Sequence, residues 1–119
     1  MEISISTSAS DVLDRYSILK IKHLHDLPVE HELEKLEQVV KLLDEVGREP
    51  YLQVLLILNG LMWDLEDKKR RIQDRFSKEY SDISELITQL NDTRALTKRK
   101  CDDFFKSSIR EVKSHADLQ

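Results

Sequence analysis

Apolar residues recur at intervals of three and four along almost the whole chain, and this spacing constrains the fold more than any other feature. Val29, Leu33, Leu36, Val40 and Leu43, for example, share one face of a helix. The 119 residues include only two Gly and two Pro, the residues that most often interrupt helices. The sequence therefore predicts an all-α fold, a four-helix, mainly antiparallel bundle with short connections.

Capping and turn residues predict where these helices begin and end. Ser8 is a favourable N-cap for the first helix, and Pro28 suits the first turn of the second. Gly47 is expected to end the second helix, and Pro50 to start the third. The predicted helices cover residues 9–25, 28–46, 50–76 and 81–106 of a single domain that spans residues 1–119.

The two ends of the chain give weaker signals. Residues 2–6 alternate between polar and apolar side chains, which predicts an extended segment. The tail, residues 108–119, either continues the last helix or pairs with residues 2–6 as a short terminal β-ribbon. Pairing is the favoured prediction.

Composition narrows the classes of partner and compartment. The formal net charge of -4 argues against nucleic-acid binding, because such binding needs a basic surface. No apolar run approaches the length of a membrane helix. The single cysteine, Cys101, lies in an apolar stripe and is expected to be a buried hydrophobe in a reducing, cytoplasmic protein. We predict no cofactor. We also predict no metal, since His23 and His25 point about 200° apart on a helix and cannot bind one ion together.

The first helix has two apolar faces. One carries Val12, Tyr16 and Leu19 together with His23, which we expect to be a core histidine. The other carries Ile18 and Ile21. A short helix that is apolar on two sides lies between its own bundle and something else, so the sequence predicts a homo-oligomer that forms through Ile18 and Ile21.

The fourth predicted helix contains a polar interruption. An apolar stripe made by residues 83–90 resumes at Cys101, and at 3.6 residues per turn it passes through Arg94 and Thr97, with Asn91 and Lys98 beside it. A cation at a position that faces the core is costly unless a partner or ligand satisfies it. This segment is therefore the first candidate for a functional site.

The third predicted helix supplies a matching polar row. Asn59, Trp63, Glu66 and Arg70 follow one another at i, i+4, i+7 and i+11, beside the core stripe. Antiparallel packing would bring this row opposite the interruption of the fourth helix. The residues predicted to bind a ligand are Arg94, Lys98, Asn91, Trp63, Asn59, Glu66 and Arg70, and those predicted to support them are Asp14, Lys22 and Asp64.

Three functions fit this pattern. The preferred one is a non-enzymatic protein that binds a small anionic molecule, a nucleotide or sugar phosphate, between Arg94 and Lys98. The alternative is a structural or adaptor module, in which Arg94 and Glu66 form an ion pair that fixes the register of the helices. A distant third is a helical enzyme of the mutase type, which needs a second anion clamp; Arg15 and Lys22 are its candidates. No catalytic residue is predicted.

Three segments carry a resemblance to a family of uncharacterised small helical proteins of bacteria and phages. Residues 8–22, 62–67 and 91–99 read SASDVLDRYSILKIK, MWDLED and NDTRALTKR. They resemble, in the same order, an opening motif ending in Ile-Leu-x-Ile-Lys, the motif Leu-Trp-Asp-Ile-Glu-Asp, and the motif Asn-Asp-x-Arg-Ala-x-x-Lys-Arg of that family. The resemblance implies a bacterial or phage origin and no established activity.

Overall fold

The computed structural model describes the backbone of residues 7–117 and the side chains of residues 7–106. The four helices are α1 (Ala9–Leu24), α2 (Glu30–Val40), α3 (Glu45–Arg71) and α4 (Lys78–Asp117). No strand occurs among the described residues, and the predicted all-α, four-helix architecture is confirmed. Because α4 continues through residue 117, the favoured pairing of the tail as a β-ribbon is wrong. The predicted extended segment, residues 2–6, lies outside the described part of the chain.

Side-chain caps decide where α1 and α3 begin. Ser8 Oγ accepts the Asp11 backbone N–H at 3.2 Å, as predicted. The predicted end of a helix at Gly47 is wrong, because the Asp44 carboxylate accepts the Gly47 N–H at 3.2 Å and thereby caps a helix that starts there. Pro50 lies inside α3, five residues after its first residue, rather than at its start.

The connection between α3 and α4 also falls earlier than predicted. α3 ends at Arg71, five residues before its predicted end at residue 76, and Phe76 is fully exposed. Ser77 then caps α4, because its Oγ accepts the Tyr80 backbone N–H at 3.2 Å. The turn residues therefore end one helix and start the next within seven residues of Arg71.

The core forms where α1 packs against the other three helices. α3 packs against α4, and the end of α3 lies beside the start of α4, so the two run antiparallel. Cys101 is fully buried, and burial together with the nearby Asp102 carboxylate raises the pKa of its thiol to about 12, which confirms its expected role as a small hydrophobe. The buried residues of this cluster are Val12, Leu13, Tyr16, Val40, Leu52, Leu55, Cys101 and Phe105.

Two predictions about α1 are contradicted. Ile21 is only 7% exposed, so it packs within the chain itself instead of forming an outward face, and Ile18 is half-buried. His23 is exposed rather than part of the core, and its ring lies beside Glu30, with 3.8 Å between His23 Nδ1 and Glu30 Oε1. None of the helices in the described part of the chain combines the length and the apolar character needed to span a bilayer.

Candidate functional site

A buried carboxylate, Asp14 of α1, lies at the centre of the polar cluster. Arg94 of α4 grips it side-on: Nε donates to Oδ1 at 3.0 Å, and Nη2 donates to Oδ2. One turn further along α4, Lys98 Nζ lies 2.8 Å from Asp11 Oδ1 and 3.5 Å from Asp14 Oδ2. The spacing of three on α1 and of four on α4 presents two acids to two bases across the helix pair.

The third helix joins this cluster through Asn59. Its Nδ2 donates to Asp14 Oδ1 at 2.8 Å and to Ser17 Oγ at 2.7 Å, and Ser17 Oγ donates to the Asp14 carbonyl oxygen at 2.7 Å. Asp14, Ser17 and Asn59 are all buried. These contacts connect α1, α3 and α4 through one carboxylate. The Asp14 network, as we name it, consists of Asp11, Asp14, Ser17, Asn59, Arg94 and Lys98.

The network keeps its charged groups ionised. Burial alone would raise the pKa of Asp14, but the hydrogen bonds from Arg94 and Asn59 outweigh it, and the pKa is lowered. The hydrogen bond from Lys98 likewise lowers the pKa of Asp11. The pKa of Arg94 is raised, mainly by its hydrogen bond to Asp14. Desolvation would lower the pKa of Lys98, yet its contacts with Asp11 and Asp14 raise it.

An open groove of about 540 Å³ lies beside this network, between α1, α3 and α4. Six of the seven residues predicted to bind a ligand line it, whereas Lys98 is turned toward Asp11 and does not. The full lining consists of Ile18, Asn59, Met62, Trp63, Glu66, Asp67, Arg70, Ile87, Thr88, Asn91 and Arg94. The residues grouped by the sequence pattern therefore line one groove, but Lys98, one of the two cations predicted to hold the anion, is not among them.

The groove combines an aromatic ring with balanced charges. Trp63 stacks on His25, with 4.7 Å between the ring centroids and 21° between the planes. Arg94 Nη1 also donates to Asn91 Oδ1 at 3.2 Å. One of the two acids that line the groove, Asp67, pairs with Arg71 at 2.9 Å, and Arg71 itself is not part of the lining. Two guanidinium groups and two carboxylates thus line the groove, and two of these four groups, those of Arg94 and Asp67, have a polar partner among the described residues.

The predicted Arg94–Glu66 ion pair is wrong. Arg94 instead pairs with the carboxylate of Asp14 on α1. Asp14 was predicted only to support the site. Its position among the apolar residues of α1, next to Leu13, is nevertheless a signal in the sequence, because a buried acid needs a partner. Asp64 is exposed and outside the groove lining.

A further contact was not predicted from the sequence. The Asp102 carboxylate of α4 accepts the Ser10 backbone N–H at 2.9 Å and the Ser10 hydroxyl at 2.8 Å. The carboxylate therefore satisfies an N–H in the first turn of α1, where the helix dipole favours negative charge. Only the relative position of the two helices could have indicated this pairing.

Arg15 and Lys22, the candidates for a second anion clamp, lie outside the groove. Lys22, predicted to support the site, and Arg15 line a separate cavity of about 420 Å³, with Asp11, Asp14 and Glu32 among its acids. The structure thus brings Arg15 and Lys22 together, but not into the groove. Within the described residues, no group of three or more His, Cys, Asp or Glu side chains is arranged to hold a metal ion.

Comparisons with protein-family models, with curated proteins and with solved structures found no match for this chain. The resemblance to the uncharacterised bacterial and phage family therefore stays a prediction. Any assignment of function depends on the Asp14 network and the groove beside it.

Proposed function

We propose that this protein binds a small polar molecule with one acidic group in the groove between α1, α3 and α4. The observation that carries this proposal is the position of Arg94, which Asp14 holds in a fixed orientation on the wall of an open groove. A donor that is already oriented loses little conformational entropy when a ligand binds. The volume of about 540 Å³ is within the usual range of small-molecule sites.

Arg94 keeps hydrogen-bonding capacity for a ligand. Its guanidinium group has five N–H donors. Two of them go to Asp14 and one goes to Asn91. No contact among the described side chains uses the other two, and the side-on grip of Asp14 leaves the outer edge of the guanidinium group for an anionic oxygen.

The charges of the groove limit the size of the anion. Asp14 already offsets Arg94, and Glu66 faces the same space as Arg70. A triphosphate would meet too little positive charge here, whereas a single carboxylate or phosphate matches one shared cation. Trp63 offers an apolar ring surface, and the amides of Asn59 and Asn91 offer groups for hydroxyls or a base. A sugar phosphate or a nucleoside monophosphate combines these features.

The single tryptophan of the chain makes the proposal testable, since Trp63 lines the groove. Titration with glucose 1-phosphate and with AMP should give a saturable change in tryptophan fluorescence for at least one of them. Arg70→Ala and Asn91→Ala should abolish the change, because both residues line the groove. Arg75→Ala, an exposed arginine outside the lining, should leave it intact. Unchanged fluorescence and melting temperature with both compounds at millimolar concentration would contradict the proposal.

A second function has its own support. Arg94 and Lys98 both pair with acids of α1, as expected if the network fixes helix register in a structural or adaptor module. That function requires Arg94→Ala to lower stability and requires Trp63 fluorescence to be indifferent to both compounds. The mutase-type enzyme gains no support, because Arg15 and Lys22 lie in a different cavity from Arg94.

A further inference from the structure

The side of α3 that points away from the core is apolar over about four turns. Val46, Pro50, Val54, Ile57 and Leu61 follow one another at intervals of three and four, so they form one face of the helix. They are exposed: 83% for Val46, 40% for Val54, 61% for Ile57 and 47% for Leu61. We name these five residues the outer face of α3.

The outer face lies opposite the residues that hold α3 in the bundle. Leu52, Leu55 and Asn59, which are buried, project about half a turn away from Pro50 and Ile57. No charged side chain belongs to the described outer face, and the neighbouring exposed residue Gln53 is neutral. The groove residues are on the buried side or the flanks, so occupation of the outer face leaves the groove open.

The size of this surface is suited to a protein partner. The five residues are all exposed and contiguous on one helix face, which is the kind of apolar patch that marks protein interaction sites. Each partner in a stable protein pair buries roughly 800 Å², more than these five side chains supply. The helix turns that flank the outer face would supply the remainder.

We propose that a second copy of this chain covers the outer face, with the two α3 helices antiparallel about a two-fold axis near Val54. In that register Val46 of one copy lies opposite Leu61 of the other, and Pro50 lies opposite Ile57. An apolar row of this kind is self-complementary, as a two-fold interface requires.

The charges at the two ends of α3 select the antiparallel orientation. The start of the helix is acidic on balance, with Asp44, Glu45 and Glu49 against the single base Arg48, and the helix ends with the bases at residues 68–71. An antiparallel pair places the basic end of each helix toward the acidic end of the other, and it also opposes the two helix dipoles favourably. A parallel pair would bring like charges together at both ends. Beyond Leu61, the next two positions on this side of α3 are the acid Asp64 and the base Lys68, so the apolar row ends there.

Sedimentation equilibrium of the full chain tests the association. We expect a dimer for the wild type. Ile57→Asp should weaken the association, with a dissociation constant at least 100-fold larger than that of the wild type. Phe76→Asp and Leu24→Asp are matched controls, because these residues are 100% and 78% exposed elsewhere and should leave the dimer intact. Val46→Asp is a second variant that should weaken the dimer, since an acid in the first turn of a helix is well tolerated.

Two results would overturn association through this face. One is a wild-type chain that stays monomeric at several hundred micromolar. The other is an Ile57→Asp or Val46→Asp variant that is folded by circular dichroism and dimerises as tightly as the wild type.

Engineered cysteines test the orientation. Val54→Cys should oxidise readily to a symmetrical disulfide, because the axis passes close to residue 54. Val46→Cys should not, since the two copies of residue 46 would be roughly 22 Å apart, beyond the roughly 7 Å limit between the Cα atoms of a disulfide. A mixture of Val46→Cys and Leu61→Cys should form the mixed disulfide. Cys101 is buried and does not compete. A symmetrical Val46→Cys disulfide that forms as fast as that of Val54→Cys would overturn the antiparallel arrangement.

Discussion

Asp14 is the residue on which most of the polar structure depends. Its carboxylate is about 5% exposed and accepts hydrogen bonds from Arg94 and from Asn59. A buried charge is tolerated only while its partners are present, so the loss of one partner costs more than the pair contributes. Asn59 is the uncharged amide of the network. It is buried, and its two amide hydrogens are donated to Asp14 and Ser17.

Removal of Arg94 should expose this dependence. We expect Arg94→Ala to lower the free energy of unfolding by about 3 kcal/mol, because Asp14 is then left buried without its main counter-charge. Urea denaturation measures the change. Arg99→Ala, which removes an exposed arginine from the same helix, should stay within about 0.5 kcal/mol of the wild type.

A double-mutant cycle separates the pair from other effects of the arginine. Once Asp14→Asn has removed the buried charge, Arg94→Ala should cost less, with a coupling of about 1–3 kcal/mol. Strictly additive effects of the two substitutions would show that Arg94 acts through something other than Asp14.

At the scale of single helices, α3 contains both glycines of the chain in different surroundings. A Cβ at Gly47 would overlap the ring of Phe104, whose Cζ would be 2.9 Å away. A Cβ at Gly60 would meet no atom within 4 Å. A side chain at position 47 therefore forces the Phe104 ring to move, whereas Gly60 costs helix propensity without a packing benefit.

The two glycines should respond oppositely to alanine. Gly60→Ala should raise the free energy of unfolding by about 0.5–1 kcal/mol, because alanine restricts the unfolded chain and favours the helix. Gly47→Ala should lower the free energy of unfolding despite the same propensity gain, since Phe104 has to move. Urea midpoints of the two variants and the wild type test this, and an equal stabilisation at both positions would contradict the packing argument.

Helical periodicity predicts the elements of this chain and does not predict their ends. The stripe of α2 and the groove row from Asn59 to Arg70 follow directly from the spacing of side chains. The start of α3 does not follow from the spacing. Pro50 is the strong signal for a helix start in the sequence, but the Asp44 carboxylate accepts the Gly47 N–H and caps the helix six residues earlier. A local hydrogen bond of this kind is visible only once the chain direction at the turn is known.

The partner of Arg94 illustrates the same limit between helices. Periodicity assigns Arg94 to an inward face and thus predicts that a partner exists. It does not specify how α1 is rotated and shifted against α4, and this offset decides between Asp14 and Glu66. The acid partner was therefore predicted wrongly. The residues that the pattern grouped with Arg94 do line one groove with it, namely Asn59, Trp63, Glu66, Arg70 and Asn91.

At the scale of the whole molecule, α3 separates two surfaces with different chemistry. Its inner side joins the Asp14 network and the groove, where ion pairs and amides fix the positions of three helices. Its outer face is apolar and exposed. A ligand in the groove and a second copy on the outer face would therefore contact the same helix from opposite sides and would not compete for the same residues.

The charges of the network also set the pH dependence of the stability of the molecule. The pKa values of Asp11 and Asp14 are lowered from their ordinary value of 3.8, so both carboxylates lose protons more readily in the folded chain than in the unfolded chain. Between the two pKa values of each group the unfolded chain binds more protons, and stability therefore falls as the pH falls. The contribution is complete above the unfolded value and is lost below pH 3.8 as the pH passes through the folded values.

We accordingly expect the free energy of unfolding to change little through these groups between pH 7 and about pH 5 and to fall at more acidic pH. Arg94 and Lys98 stay charged throughout this range, because their pKa values lie far above it even before the acids of α1 raise them further. Urea denaturation between pH 2.5 and 7, in buffers of constant ionic strength, measures the curve. Asp14→Asn removes the more deeply buried carboxylate, so its stability should start lower at pH 7 and decline less on acidification than that of the wild type. Equal acid slopes for the two proteins would mean that Asp14 is not the group whose protonation loosens the contact between α1 and α4.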